Sequence, residues 1–85
     1  MLHQNLTLQQ LSHLRKKITL QELREALHIH QSDLGKKLGI KQAAVSRKER
    51  RHDMHISHLR KTVEAMGGKL VITAHFSGVD IHLNT

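Results

Sequence analysis

The sequence predicts a mainly helical domain closed by a C-terminal β-hairpin, and three observations carry that prediction. Residues 31–51 read as two short helices around a Leu-Gly-Ile turn, Thr19 carries a helix-start signal, and the apolar spacing changes from helical to alternating after Gly67-Gly68. Eighty-five residues make one small domain (1–85), which buries only about 60 to 65% of the surface its unfolded chain exposes. Phe76 is the only aromatic residue, so the core is expected from Leu, Ile, Val, Met and Ala.

Leu8, Leu11 and Leu14 are spaced at three, with Ile18 completing the stripe, which predicts a leading helix from Thr7 to Lys17 inside an N-terminal extension, residues 1–18. Thr19 with Glu22 forms a capping box, and Ile18 with Leu23 is placed as a hydrophobic staple. A helix follows from Leu20 to about Leu27, with Leu20, Leu23 and Leu27 inward. The next runs from Gln31 to Leu38, where Leu34 and Leu38 share a face and Gly39 supplies the left-handed stop. After it comes a helix from Lys41 or Gln42 to Arg50, anchored inward by Val45. At 100° per residue Ala43, Arg47 and Arg50 point away from Val45, with Ala44 and Ser46 on the flanks, a small polar face that fits a DNA major groove.

Ser57 is the expected cap of a last helix through Met66, whose inward stripe is Leu59, Val63 and Met66, preceded by Ile56. Gly67-Gly68 stop it. A phosphate-binding reading of that pair fails, because no strand precedes it and no Gly-Lys-Ser/Thr pattern follows. In residues 69–85 Leu70, Ile72, Ala74 and Phe76 alternate with polar or smaller residues, Ser77-Gly78 makes a two-residue turn, and Val79, Ile81 and Leu83 alternate again. A lone hairpin is marginal in water and leaves open edges. These seven apolar residues are therefore the expected dimerisation element, pairing with a second copy or with another protein.

The net charge is +7, and seven of the fourteen basic residues lie between Lys36 and Arg51 against the single acid Glu49. Such a patch favours nucleic acid over membrane, since no long basic amphipathic helix or lipid-anchor signal accompanies it. With no cysteine, no membrane-length apolar run and no signal-peptide pattern, the expectation is a soluble cytoplasmic protein. Nine histidines, including His28 with His30 and His52, His55 and His58 at intervals of three, raise a metal site. Structural zinc sites usually include cysteine and catalytic ones need an enclosing pocket, so no metal is expected. The expected effect of these histidines is added positive charge near the basic patch as pH falls through about 6.5. No nucleophile with a paired base, no carboxylate dyad and no cofactor signature is visible, which argues against an enzyme.

Gln31, Leu34, Gly35, Leu38, Gly39, Ile40, Val45 and Glu49 stand at the offsets of a pattern that resembles the helix-turn-helix of the Xre/Cro-like repressors, and the resemblance covers roughly residues 19–70. It implies a five-helix domain with the DNA-binding unit at 19–68. Departures are His30 and Lys41 in place of Ser or Thr caps, each worth about 0.5 to 2 kcal/mol if nothing replaces the cap, and Lys48 at a usually apolar position. The Lys48 stem is expected to lie over the core with its ammonium in water.

The resemblance implies that Gln31 meets a phosphate with its side chain and helix N-terminus, and that Lys41, Gln42, Ala43, Ser46 and Arg47 occupy base-contacting and adjacent phosphate-contacting positions. Lys36, Lys37, Arg50 and Arg51 supply counterion-displacing charge. It also implies a structural ion pair between Arg24 and Glu49. The segment from Arg47 to Phe76 resembles, more loosely, the DNA-binding antitoxins of bacterial toxin–antitoxin pairs. That implies a homodimeric repressor on an inverted-repeat operator that also neutralises a toxin, either a ribosome-dependent endoribonuclease or a kinase of the HipA kind. A free-standing or phage-type repressor is the near alternative, and an interaction module that does not bind DNA is the reading from a different class.

Overall fold

The computed structural model describes residues 7–10, 17–51 and 53–83, in the element order helix, four further helices and a two-stranded antiparallel sheet. Residues 8–10 are helical. Thr7 and Gln10 exchange hydrogen bonds there, Thr7 N–H to Gln10 Oε1 at 2.8 Å and Gln10 N–H to Thr7 Oγ1 at 3.2 Å. This is a capping box that the leucine spacing alone does not reveal. Leu11 and Leu14 lie outside the described residues, and Lys17, expected as the helix's last residue, is not helical.

The complete helices are α1 (Leu20–Ala26), α2 (Gln31–Leu38), α3 (Gln42–Glu49) and α4 (Ile56–Ala65). Thr19 caps α1 with the expected reciprocal bonds: Glu22 N–H donates to Thr19 Oγ1 and Thr19 N–H to Glu22 Oε1, both at 3.0 Å. The other three starts have no side-chain cap; His30, Lys41 and His55 occupy the cap positions. Ser57 is therefore not the cap of the last helix, which begins one residue earlier with Ile56 inside its first turn. Ile56 also departs from the expected inward stripe and is half exposed. Thr62 takes the fully buried place on α4, where its hydroxyl donates to the His58 carbonyl at 2.9 Å and so enters the interior already satisfied.

Three helices end in the same way. Ile29 N–H reaches back to Arg24 O, Ile40 N–H to Gly35 O and Gly68 N–H to Val63 O, at 3.2, 2.9 and 3.0 Å, each across a residue with positive φ. This double reversal satisfies carbonyls that the helix leaves open. Gly39 and Gly67 make it at φ 72° and 92°, but His28 makes it at φ 59°, where its Cβ crowds the backbone.

Leu34 and Val45, each 1% exposed, form the centre of the core with Met66. Leu20, Leu23, Leu27, Ile29, Leu38, Ile40 and Ala65 pack around them. Gly35 lets α2 and α3 meet: a Cβ built there stands 2.7 Å from the Ile40 carbonyl oxygen and 3.4 Å from Val45 Cγ2. The hairpin consists of β1 (Ile72–Phe76) and β2 (Val79–Leu83), with Phe76 opposite Val79, Ala74 opposite Ile81 and Ile72 opposite Leu83. Ser77-Gly78 form the turn. The pairing puts all six apolar side chains on one face and Thr73, His75, Asp80 and His82 on the other. No residue of either strand enters the helical core cluster.

Candidate nucleic-acid interface

Val45 and Glu49, one turn apart, are the buried residues of α3. Turning those two inward leaves Gln42, Ala43 and Arg47 exposed, with Ala44, Ser46 and Lys48 half-buried on the flanks. Lys48 takes the intermediate position expected of a stem laid on apolar surface. Lys36 and Lys37 in the last turn of α2, Lys41 before α3, and Arg50 and Arg51 after it are all exposed. The basic residues therefore line the solvent side of the α2–α3 pair while Leu34 and Val45 hold its other side to the core.

What fixes the orientation of α3 is a buried polar network. Arg24 and Glu49 are 7% and 8% exposed, and Arg24 Nε donates to Glu49 Oε2 at 2.6 Å while Nη2 donates to Oε1 at 3.3 Å. The guanidinium's remaining nitrogen, Nη1, donates to the Ile29 carbonyl at 2.7 Å. That carbonyl is aimed at it by the reversal through His28. Forked arginine–carboxylate geometry fixes direction as well as distance, so α1 and α3 are locked in mutual orientation.

The network continues outward through two glutamines. Gln31 Nε2 donates to Glu49 Oε1 at 2.9 Å, and Gln42 Nε2 donates to Gln31 Oε1 at 3.3 Å. Gln31, which the resemblance assigns to a phosphate, thus has its amide committed to the protein here. Its backbone N–H, at the uncapped start of α2, forms no hydrogen bond to a cap side chain. The resemblance placed Gln42 among the DNA-contacting positions, but its link to Gln31 was not legible in the sequence. The two lie eleven positions apart on different helices, so only tertiary geometry brings them together. Among the described residues no group of three His, Asp or Glu side chains is arranged to hold a metal ion, and no helix is long and apolar enough to cross a membrane.

The profile of a helix-turn-helix domain family matches residues 2–75. The chain belongs to that family. Its fold is similar to the solved structure described as "DNA bound antitoxin HigA3", with 33% identity, a TM-score of 0.73, and coverage of 82% of this chain and 94% of that one. It is similar also to a structure described as "Induced DNA bending by unique dimerization of HigA antitoxin", at 33% identity, TM-score 0.75, and coverage of 82% and 96%. No protein in the curated set gives a significant match. Both similar structures span nearly their whole length in the match, so the likeness includes the helix-turn-helix together with what surrounds it.

Proposed function

We propose that this helix-turn-helix protein is a homodimeric transcriptional repressor of the antitoxin type, which places α3 in the major groove of an inverted-repeat operator and represses its own transcription unit. The observation that carries the reading is the construction of α3: one side is fastened by Val45 and by Glu49 in its ion pair, and the opposite side presents Gln42, Ala43 and Arg47 amid exposed lysines and arginines. Arginine can fork to guanine, glutamine to adenine, and the Ala43 methyl can pack on a thymine methyl. Ser46 flanks that face. Lys36, Lys37, Lys41, Arg50 and Arg51 contact phosphates and set affinity without sequence preference. The start of α2 offers the Gln31 N–H to a phosphate, with the Gln31 side chain serving as the brace between Glu49 and Gln42.

The hairpin's apolar residues Leu70, Ile72, Ala74, Phe76, Val79, Ile81 and Leu83 join two copies, because a sheet face left this apolar on a monomer invites association. The antitoxin part of the reading rests on likeness to HigA antitoxins over most of the chain. It assigns the protein no catalysis and a place in the cytoplasm beside its DNA. Fluorescence anisotropy with a duplex taken from upstream of its own gene tests it. Binding should exceed that to a random duplex by at least about 10³-fold, the low end for specific recognition. With six to ten phosphate contacts affinity should also fall about 10³- to 10⁵-fold between 50 and 200 mM salt. Equal affinity for both duplexes would leave only a nonspecific polyanion binder.

A further inference from the structure

Beside the root of the hairpin lies an apolar groove of about 290 Å³, lined by Leu8 from the N-terminal turn, Leu23 from α1 and Leu27 just after it, Val63 from α4 and Met66 just after it, and Lys69 where the chain leaves for β1. For comparison, a cavity of about 150 Å³ takes up benzene. At the other end of the hairpin stands Phe76, the chain's single aromatic residue and, among the described residues, the most exposed large apolar side chain, at 64%. Beside it on the same face is Val79, its cross-strand partner, at 55%.

The hairpin cannot fill its own groove. Phe76 lies seven residues beyond Lys69, roughly 23 Å of chain at strand rise, and no hairpin residue past Lys69 contributes to the groove's lining among the described residues. A twofold-related hairpin has no such restriction, since its tip approaches from outside. We infer that the hairpins are exchanged arms: in the dimer each protomer inserts Phe76 and Val79 into the groove between α1 and α4 of its partner. This rests on the homodimer reading above and specifies how the dimer is held.

Area favours exchange over simple contact of the two apolar faces. The exposed parts of Phe76, Val79, Ile81 and Leu83 amount to roughly 400 Å² per protomer, whereas a stable interface needs about 800 Å² per partner. Inserting the tip removes the groove wall from water in addition to the arm's face, as one continuous apolar surface that contact of the two hairpin faces alone would leave uncovered. The contact is isologous, so it closes after two copies and does not propagate.

The protein has no native cysteine, which makes site-directed cross-linking clean. Full-length chains carrying Val79→Cys and chains carrying Val63→Cys are mixed, allowed to exchange, and oxidised; Phe76 is kept in both. Lys69→Cys, on the exposed rim, replaces Val63→Cys if the latter fails to fold. The expected result is a disulfide-linked dimer containing one chain of each kind, with little linkage of Val79→Cys chains to each other, because disulfides need Cα atoms within about 7 Å. In parallel, Phe76→Asp should weaken dimerisation by at least about tenfold without loss of helical signal, since the residue lies outside the core. Self-linked Val79→Cys chains without mixed product would overturn the exchange in favour of face-to-face hairpins. A wild-type dimer with no linkage at either position would place the interface elsewhere or assign the groove to another partner. A wild-type monomer at micromolar concentration with specific operator binding would overturn the homodimer reading along with the exchange.

Discussion

Replacing Glu49 tests the mechanical basis of the interface, because one carboxylate holds Arg24 from α1 and Gln31 from α2. In Glu49→Ala the guanidinium of Arg24 keeps only its bond to the Ile29 carbonyl and is left buried without a counter-charge. In Arg24→Ala the Glu49 carboxylate keeps only Gln31. Breaking such a pair from either side costs about 3 to 5 kcal/mol, much of it the penalty for the stranded charge. An 85-residue domain has a total stability of roughly 4 to 13 kcal/mol. Each single variant should therefore be severely destabilised. At roughly 4 to 8 °C per kcal/mol its melting temperature should drop by about 12 °C or more.

Arg24→Met with Glu49→Leu removes both charges and fills their space, so the double variant should be less damaged than either single one. Urea denaturation followed by circular dichroism, at one fixed protein concentration because association contributes to apparent stability, supplies the four corners of the cycle. A coupling energy below about 0.5 kcal/mol would refute the argument that this pair fixes α3.

Three further outcomes follow from the same geometry. Gly35→Ala should destabilise by about 1 to 3 kcal/mol, measured by urea denaturation, since the new methyl meets the rigid Ile40 carbonyl and not the end of a flexible side chain. His28→Gly should raise the melting temperature, because it relieves up to about 1 to 2 kcal/mol of left-handed strain at φ 59° while costing some unfolded-state entropy. A lower melting temperature would mean that the His28 side chain makes a stabilising contact. Deleting residues 69–85 should leave a helical monomer by light scattering, with much weaker operator binding, because two heads no longer share an effective concentration.

The helix-turn-helix was readable from the sequence for local reasons. Leu34, Leu38 and Val45 have the spacing of inward positions, Gly39 is a left-handed stop, and both signals act within a few residues of where they are written. The hairpin was equally plain, since period-two alternation around a two-residue turn fixes register to Phe76 opposite Val79. What local pattern could not show are contacts between distant residues. The joint between Gln31, Gln42 and Glu49 spans three positions on two helices, and nothing near Gln31 announces that its amide is spoken for. His28 carries no left-handed signal, because histidine is an uncommon choice there, and the reversal it makes is imposed by the packing of Ile29 and Arg24. Ser57 misled for the opposite reason: it is a strong capping residue, but helix α4 gains its first turn from Ile56 without any side-chain cap. Thr62 escaped a reading built on apolar stripes because its polarity is cancelled by His58, four residues back.

If the outward face of α3 reads base sequence while the surrounding charges only hold the backbone, Arg47→Ala compared with Lys36→Ala separates the two roles. Both residues are exposed, so neither change should disturb the fold. Measured by anisotropy on operator and random duplexes across a salt series, Arg47→Ala should lose about 1 to 3 kcal/mol on operator and much less on random DNA. Lys36→Ala should weaken both duplexes alike and reduce the log–log salt slope by about 0.9. Equal losses on both duplexes for Arg47→Ala would contradict the account, because α3 would then be a phosphate contact and not a reader.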